Sequence, residues 1–537
     1  MNNPIMKYHF LLFLALLCSV SSFAQGESSV KRFAALAPVS ADNHGIIYDQ
    51  PEGTTRLYIR EGKATYANLY FRDDPQDGIL AEAVFSEDGT TVWFKNIVSH
   101  AATGTWVKGN ISGDSIIVPL GQMVYWFEDG NYGMQLARVK VNGSINNPTT
   151  TTKGEFVFII KDNDLYLQNT SGDAETTTYD GLGLVYTEYR DDNGKMQPAG
   201  EWAYYIDYES IFHFKDVTPV TPPAALTTRP YSMEYQSTSG FQTGNLVDVG
   251  FYDQDVYVYG VSHDNLPDAW MKGSVSADKI VFPMQYAGHM ESFMLFFCGG
   301  EAYYDSEAYA WKYVLGDGSA TFAFDQRTMS FRTEGMLATN SADDHVDRIE
   351  AYLAPLFRPF TEKPATPATP GIRFYQNMGA FTIVMLDLPL KDTDGNFIDP
   401  SKVSYQLYVD NDEPFILYPD EYKGLTEPLS EVPYFFPADK LESYSRSYIY
   451  ERGYAIYIFQ TGFDRIGVQT IYRGGEEEHR SEIGYYDIVP VGISSTPSDT
   501  GASIQHFDLT GRPVSSSHKG LTISRTTDGR VVKHFQR

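Results

Sequence analysis

Trp106-Val-Lys-Gly-Asn-Ile-Ser-Gly-Asp-Ser-Ile-Ile-Val-Pro119 occurs a second time, with substitutions, as Trp270-Met-Lys-Gly-Ser-Val-Ser-Ala-Asp-Lys-Ile-Val-Phe-Pro283. Both copies obey Trp-x-Lys-Gly-x-(Ile/Val)-Ser-x-Asp-x-Ile-x-x-Pro, and the Trp-to-Trp offset is 164 (270 minus 106). That is longer than any solenoid repeat, so each copy is a domain-sized unit. Residues 106–111 and 115–118 read as strands joined at Ser112-Gly-Asp114, where Gly or Asp takes the left-handed conformation of a tight hairpin. Alternation places Val107, Gly109 and Ile111 on one face and Trp106 and Lys108 on the other, with Met271, Gly273 and Val275 against Trp270 and Lys272 in the second copy. A strand apolar on both sides, with a glycine gap for a neighbouring ring, predicts a sandwich or a closed barrel. The shared face predicts cation–π contacts of Lys108 with Trp106 and of Lys272 with Trp270.

The duplication spreads outward from this block. Val92-Trp-Phe-Lys-Asn-Ile-Val-Ser-His100 parallels Val256-Tyr-Val-Tyr-Gly-Val-Ser-His263 across a one-residue gap. Phe156-Val-Phe158 with Leu165-Tyr-Leu167 answers Phe322-Ala-Phe324 with Phe331 at an offset of 166 (322 minus 156; 331 minus 165). Short aromatic runs split by turns such as Lys161-Asp-Asn-Asp164 are antiparallel hairpins. Two Pro/Thr-rich stretches, 218–223 and 363–370, read as linkers that bound a first repeat at 30–217 and a second at 225–362. About seven strand-like runs over 371–490 fit a sandwich. The closing run Gly467-Val-Gln-Thr-Ile-Tyr-Arg-Gly-Gly-Glu-Glu-Glu-His-Arg-Ser481 resembles the last hairpin of a fibronectin type III domain. That resemblance implies a spacer or interaction module with no catalytic residues to carry over. The expected fold is all-β: two duplicated antiparallel β-sandwich or β-barrel domains, a fibronectin type III-like sandwich, and a short β module at 493–537.

Acidic residues number 69 against 41 basic ones, a net charge of -28 that repels nucleic acid and anionic membranes. At the N-terminus, Lys7, the apolar run Phe10 to Val20 and Ser21-Ser-Phe-Ala24 have the parts of a secretory signal at 1–24. The run is too short for a membrane span, and none follows. Signal removal leaves Cys298 alone, expected as a buried apolar residue. The end of the chain, Ile504-Gln-His-Phe-Asp-Leu-Thr-Gly-Arg-Pro-Val514, Lys519-Gly-Leu-Thr-Ile523 and Asp528-Gly-Arg-Val-Val-Lys533, is similar to the C-terminal tails of exported Bacteroidetes proteins, including type IX secretion sorting domains. The usual early Asn-Pro segment is absent. The resemblance implies a secreted or outer-surface location.

Chemistry is less legible. Ser99-His100 and Ser262-His263 recur in both copies, but strand neighbours face opposite ways and no nucleophile elbow accompanies them. Asp392-Thr-Asp394-Gly395 with Asp399 has part of a calcium loop and reads better as a solvated turn. No zinc spacing, Walker loop or Rossmann pattern is present, so no catalytic residue, metal or cofactor is expected. The remaining candidates are duplicated aromatics, Trp93, Trp106, Tyr257, Tyr259 and Trp270, whose rings suit the apolar faces of sugars. The expected function is a cell-surface binding or adhesion protein for an extracellular polysaccharide or a host or surface protein. A glycan-processing enzyme and a structural spacer are the alternatives. Two duplicated weak sites would gain avidity from their tether.

Overall fold

A computed structural model describes residues 44–488, apart from 67–73, 128–130, 145–147, 191–193, 201–202, 239, 241, 291, 306–309 and 342–347, together with short strands at 31–32 and within 505–536. The signal-like segment 1–24 lies outside these residues. The chain is almost entirely antiparallel β. Among the described residues the one α-helix is Leu441–Arg446, and no helix is long and apolar enough to cross a membrane.

The first unit contains β1 (Thr54–Tyr66), β2 (Leu80–Phe85), β3 (Thr91–Lys95), β4 (Trp106–Ser112), β5 (Ser115–Pro119), β6 (Met123–Phe127), β7 (Tyr132–Asn142), β8 (Glu155–Lys161), β9 (Asp164–Leu167), β10 (Thr178–Tyr186) and β11 (Ala203–Lys215). Strands β1-β2-β3-β4-β5-β8-β9-β11 pair in that order, and β11 returns to β1, closing a barrel. The side sheet β6-β7-β10 attaches to the first half of β11. The second unit repeats this course as β12 (Thr228–Gln236), β13 (Gln242–Tyr252), β14 (Asp255–Tyr259), β15 (Trp270–Ser276), β16 (Lys279–Phe282), β17 (Gln285–His289), β18 (Met294–Asp305), β19 (Ala320–Asp325), β20 (Ser330–Arg332), β21 (Met336–Asn340) and β22 (Arg348–Pro359). Each strand of the first barrel therefore has its counterpart eleven labels later, with the same closure between β12 and β22. Of the two architectures open to the sequence, both copies are barrels.

The last strand of each barrel changes neighbours midway, and a bulge makes the switch. In β11 the register slips between Tyr208 and Ile211, around Glu209 at φ 53°, and in β22 the counterpart is Ala354 at φ 47°. One extra residue bends the strand, so its first half serves the side sheet and its second half the barrel wall.

Side chains fill both interiors. Phe94, Phe158 and Phe212 lie 5.3–6.2 Å apart by ring centres in the first. Phe282, Phe322, Phe331 and Phe357 form the corresponding cluster in the second. A Cβ on Gly273 would come 2.7 Å from the Phe282 ring, and one on Gly109 would come 2.9 Å from Ile116. The glycine gap thus admits an aromatic ring in one copy and an aliphatic side chain in the other. The constant offset of 166 does not hold through the β8–β9 hairpin. Phe158 pairs with Ile116 and Phe322 with Ile280, an offset of 164 (322 minus 158). Leu165 and Phe331 remain 166 apart, because the second hairpin turns over four residues between Asp325 and Ser330, where the first uses Asp162 and Asn163.

The third unit is a two-sheet sandwich. Gly371–Asn377, Thr382–Asp387 and Ile456–Ile458 form one sheet, and Val432–Pro433, Val403–Val409, Arg465–Tyr472 and His479–Arg480 form the other, with Gly484–Asp487 also on Arg465–Tyr472. The stretch 363–370 is not a free linker. Ala365 is buried in the sandwich core, Ala368 N–H donates to Lys391 O at 2.8 Å, and Thr393 N–H donates to Thr366 O at 3.0 Å. Prolines cannot extend a central sheet, but they can lie along an edge. Beyond it, short strands within 505–536 form a small antiparallel sheet.

Candidate functional site

The Ser-His pairs come first because they carry the enzyme alternative. Ser99 and His100 sit in a turn rather than a strand, so their side chains do meet, at 2.8 Å from Oγ to Nδ1. Ser99 Oγ also donates to Asp207 Oδ1 at 2.9 Å, and its N–H donates to Oδ2 at 2.7 Å. The serine therefore lies between histidine and acid, whereas a nucleophilic triad needs the histidine in the middle. All three residues are buried, and the Arg60 guanidinium stands 3.6 Å from Asp207. This is a polar strut in the barrel wall. In the second copy Ser262 Oγ donates to Glu350 Oε2 at 2.6 Å, and the Tyr352 hydroxyl donates to the same oxygen at 2.5 Å. His263 instead turns outward, with Nδ1 2.8 Å from Asp264 and its ring stacked on Phe435 of the sandwich at 4.5 Å. Arg452 of the sandwich holds Asp264 at 2.6 Å. Burial would raise Asp264, but His263 and Arg452 keep its carboxyl at about 2.

The duplicated aromatics divide. Trp106 is 2% exposed and Tyr257 is 4% exposed, so neither offers a face to a ligand. Trp106 is covered where its N–H donates to Ile47 O at 2.9 Å, a segment far from it in sequence. Trp93, Tyr259 and Trp270 are half-buried. The cation–π expectation is also corrected. The cation over Trp106 is Lys95, 5.7 Å from the ring centre, and Lys272 lies over Tyr257 at 5.6 Å while pairing with Asp255 at 2.8 Å. Lys95 is the direct cross-strand partner of Trp106, and Lys272 of Tyr257. Directly opposed side chains are closer than those two apart on one strand.

A twofold feature that the sequence reading missed explains the invariant Lys backbone. Gln122 Oε1 accepts from Lys108 N–H at 2.8 Å, and its Nε2 donates to Lys108 O at 2.8 Å. Gln285 repeats both bonds with Lys272, at 2.7 and 2.9 Å. Beyond the Pro of the motif the neighbouring strand diverges, and the amide completes the ladder in its place. The glutamine two or three residues past each proline was the available signal.

The barrels meet along main chain and apolar side chains. Leu80 N–H donates to Ser292 O at 2.7 Å, and Leu80, Tyr286, Met294 and Phe296 pack with Leu57, Ile59 and Val217. Beside this contact opens a cleft of ≈ 860 Å³. The first barrel contributes residues 54–57 at the start of β1 and 214–219 at the end of β11; the second contributes 265–269, before β15, and 286–289 on β17. Next to it stand Tyr259 and Trp270, cross-strand partners with ring centres 5.0 Å apart at 45°. The Tyr259 hydroxyl donates to Asp268, a cleft residue, at 2.7 Å, and that bond raises the phenol's pKa. On the floor the Tyr286 hydroxyl lies 2.9 Å from His289 Nδ1. Burial pushes the phenol up to about 12 and pulls the imidazole down, so His289 is neutral near pH 7. The Arg56 guanidinium lies over Phe85 at 4.5 Å and Phe214 at 5.9 Å. Volume, rings and scattered polar groups match a small-molecule site.

Sequence found the aromatic pair but not the cleft, because its walls come from four separate segments, 54–57, 214–219, 265–269 and 286–289. One sign was present: Asp268 and Tyr259 replace Gly104 and Lys95 of the first copy, beside the one-residue gap in the repeat. The calcium-like loop closes on itself, with Asp392 Oδ1 accepting from the N–H groups of Asp394 at 3.0 Å and Asn396 at 2.8 Å. Lys363 sits 3.2 Å away, and no metal-holding cluster exists among the described residues. Comparison of the chain with protein-family models, curated proteins and solved structures finds no match.

Proposed function

We propose that this chain is an exported cell-surface binding protein that holds an extracellular polysaccharide in the cleft between its barrels. The observation that carries this reading is the cleft itself, lined by Leu57, Phe214, Val217 and Tyr286, with the Tyr259–Trp270 pair at its border through the Tyr259 bond to Asp268. Aromatic rings take the apolar faces of sugars, and the surrounding polar groups take their hydroxyls. Both barrel interiors are filled, so the space for a ligand lies outside them. The two units then build one composite site, which replaces the expectation of two tethered weak sites. The signal-like N-terminus and the sorting-like tail support surface delivery.

The glycan-processing alternative has two carboxylates in the cleft, Asp216 and Asp268. Asp268 is engaged by the Tyr259 phenol, and both are solvent-exposed. A general acid needs burial to stay protonated, so binding is favoured over hydrolysis. The test is a glycan array on the full chain, followed by calorimetry and a reducing-sugar assay on every hit. Saccharide binding in the micromolar to millimolar range without product supports the reading. Product release makes it an enzyme, and binding to no glycan rejects it.

A further inference from the structure

Resting on that reading, we infer that the saccharide is acidic, and that Arg56 receives its carboxylate. Arg56 is half-buried in the cleft wall, and its guanidinium is backed by the rings of Phe85 and Phe214. The Tyr58 phenol is a polar neighbour of that guanidinium, and no carboxylate lies within ion-pair distance of it among the described residues. A ring-backed guanidinium keeps its planar fork of N–H donors available, and that fork matches a carboxylate bidentately.

The other charges of the cleft do not satisfy it. Asp268 accepts from Tyr259, and His289 is neutral. Asp216 is exposed, where solvent screens it. Arg56 and Lys215 stand against Asp216 and Asp268 in the lining, so the cleft is formally balanced in a chain of net charge -28, and the ring-backed Arg56 is the group in it that suits an anionic ligand. A uronic acid supplies a planar carboxylate on a ring whose apolar face suits the aromatic side chains of the lining, Phe214 and Tyr286. A sulfate ester shares the charge but not the planar geometry.

The experiment titrates the full chain with three oligosaccharides of equal length: an oligogalacturonate, its methyl ester, and a sulfated neutral glycan. The acid is expected to bind about ten- to hundredfold tighter than the ester, the range of a hydrogen-bonded charge. Arg56→Gln abolishes that preference, so that the variant binds acid and ester alike. Arg56→Lys keeps the cation and the fold but recovers only part of the preference, because an ammonium cannot engage both oxygens. Equal binding of acid and ester, or a preference that survives in Arg56→Gln, overturns the assignment and leaves the cleft reading intact. Preference for the sulfated glycan replaces the carboxylate with a sulfate and overturns it as well. Binding of none of the three, with other glycans bound in the same cleft, also overturns it; binding of no saccharide at all removes both readings.

Discussion

The two barrels share eleven strands, a closing bulge, a glutamine clamp and a phenylalanine cluster, yet they differ in one buried polar group and in residues beside the cleft. Arg60 and Asp207 of the first barrel are replaced by Met233 and Tyr352 in the second, and the carboxylate moves two residues along the strand to Glu350, the counterpart of Tyr205. Lys95 and Gly104 become Tyr259 and Asp268. The shared positions build the frame. The divergent ones carry the polar strut of the wall or stand at the cleft, Asp268 in its lining and Tyr259 bonded to it, so the proposed site is marked by divergence between the copies rather than by repetition.

The largest effects test the shared frame. Phe158→Ala and Phe322→Ala empty equivalent core positions, each with 0% exposure, and each is expected to cost about 3 to 5 kcal/mol. Urea unfolding of the barrel concerned measures it. Unequal costs differing by more than about 2 kcal/mol would mean that the pairing of these phenylalanines does not describe equivalent environments.

The next contrast separates the struts. Asp207→Asn strands a fully buried guanidinium and is expected to cost about 3 kcal/mol. Glu350→Gln, with the hydroxyls of Ser262, Tyr352 and Thr339 around it, is expected to cost no more than about 1 kcal/mol. Their pH behaviour differs as well. Burial raises Glu350 above its ordinary 4.5. A raised acid costs nothing below the unfolded value, and its cost grows as pH climbs from there towards the folded value. The stability gap between wild type and Glu350→Gln should therefore shift in favour of the glutamine as pH rises above 4.5, as chemical denaturation at several pH values will record. A flat gap contradicts the burial of an unpaired carboxyl.

Smallest are the clamps. Gln122→Leu and Gln285→Leu each remove three bonds at a partly solvated strand edge, two to the lysine backbone and one to the carbonyl of the motif's proline, an expected loss of about 1 kcal/mol. Amide exchange at Lys108 and Lys272 should accelerate in step, and protection retained in one alone would break the equivalence.

The all-β class, the duplication and the hairpin turns were legible because hairpins are local: alternation, turn residues and a repeated block need only neighbours in sequence. The burial of Trp106 was not, since the Ile47 segment that bridges to its backbone precedes the first barrel strand and has no signal in the repeated block. The offset error through β8 has the same origin, because a longer loop changes numbering without changing pairing. Cation–π partners were misassigned along the strand for want of the cross-strand register. Arg56 and His289 had no pattern to announce them, and Asp268 only its departure from Gly104, because a cleft between domains is set by how two finished surfaces meet.

The most direct test writes the first barrel's residues into the second. Tyr259→Lys with Asp268→Gly installs side chains that the fold already accommodates at Lys95 and Gly104. Calorimetric titration of this variant with a glycan bound by the wild type is expected to show no binding, while its unfolding stays within about 1 kcal/mol of wild type. Undiminished binding by a folded variant would contradict the claim that the copies diverged to build a saccharide site between them.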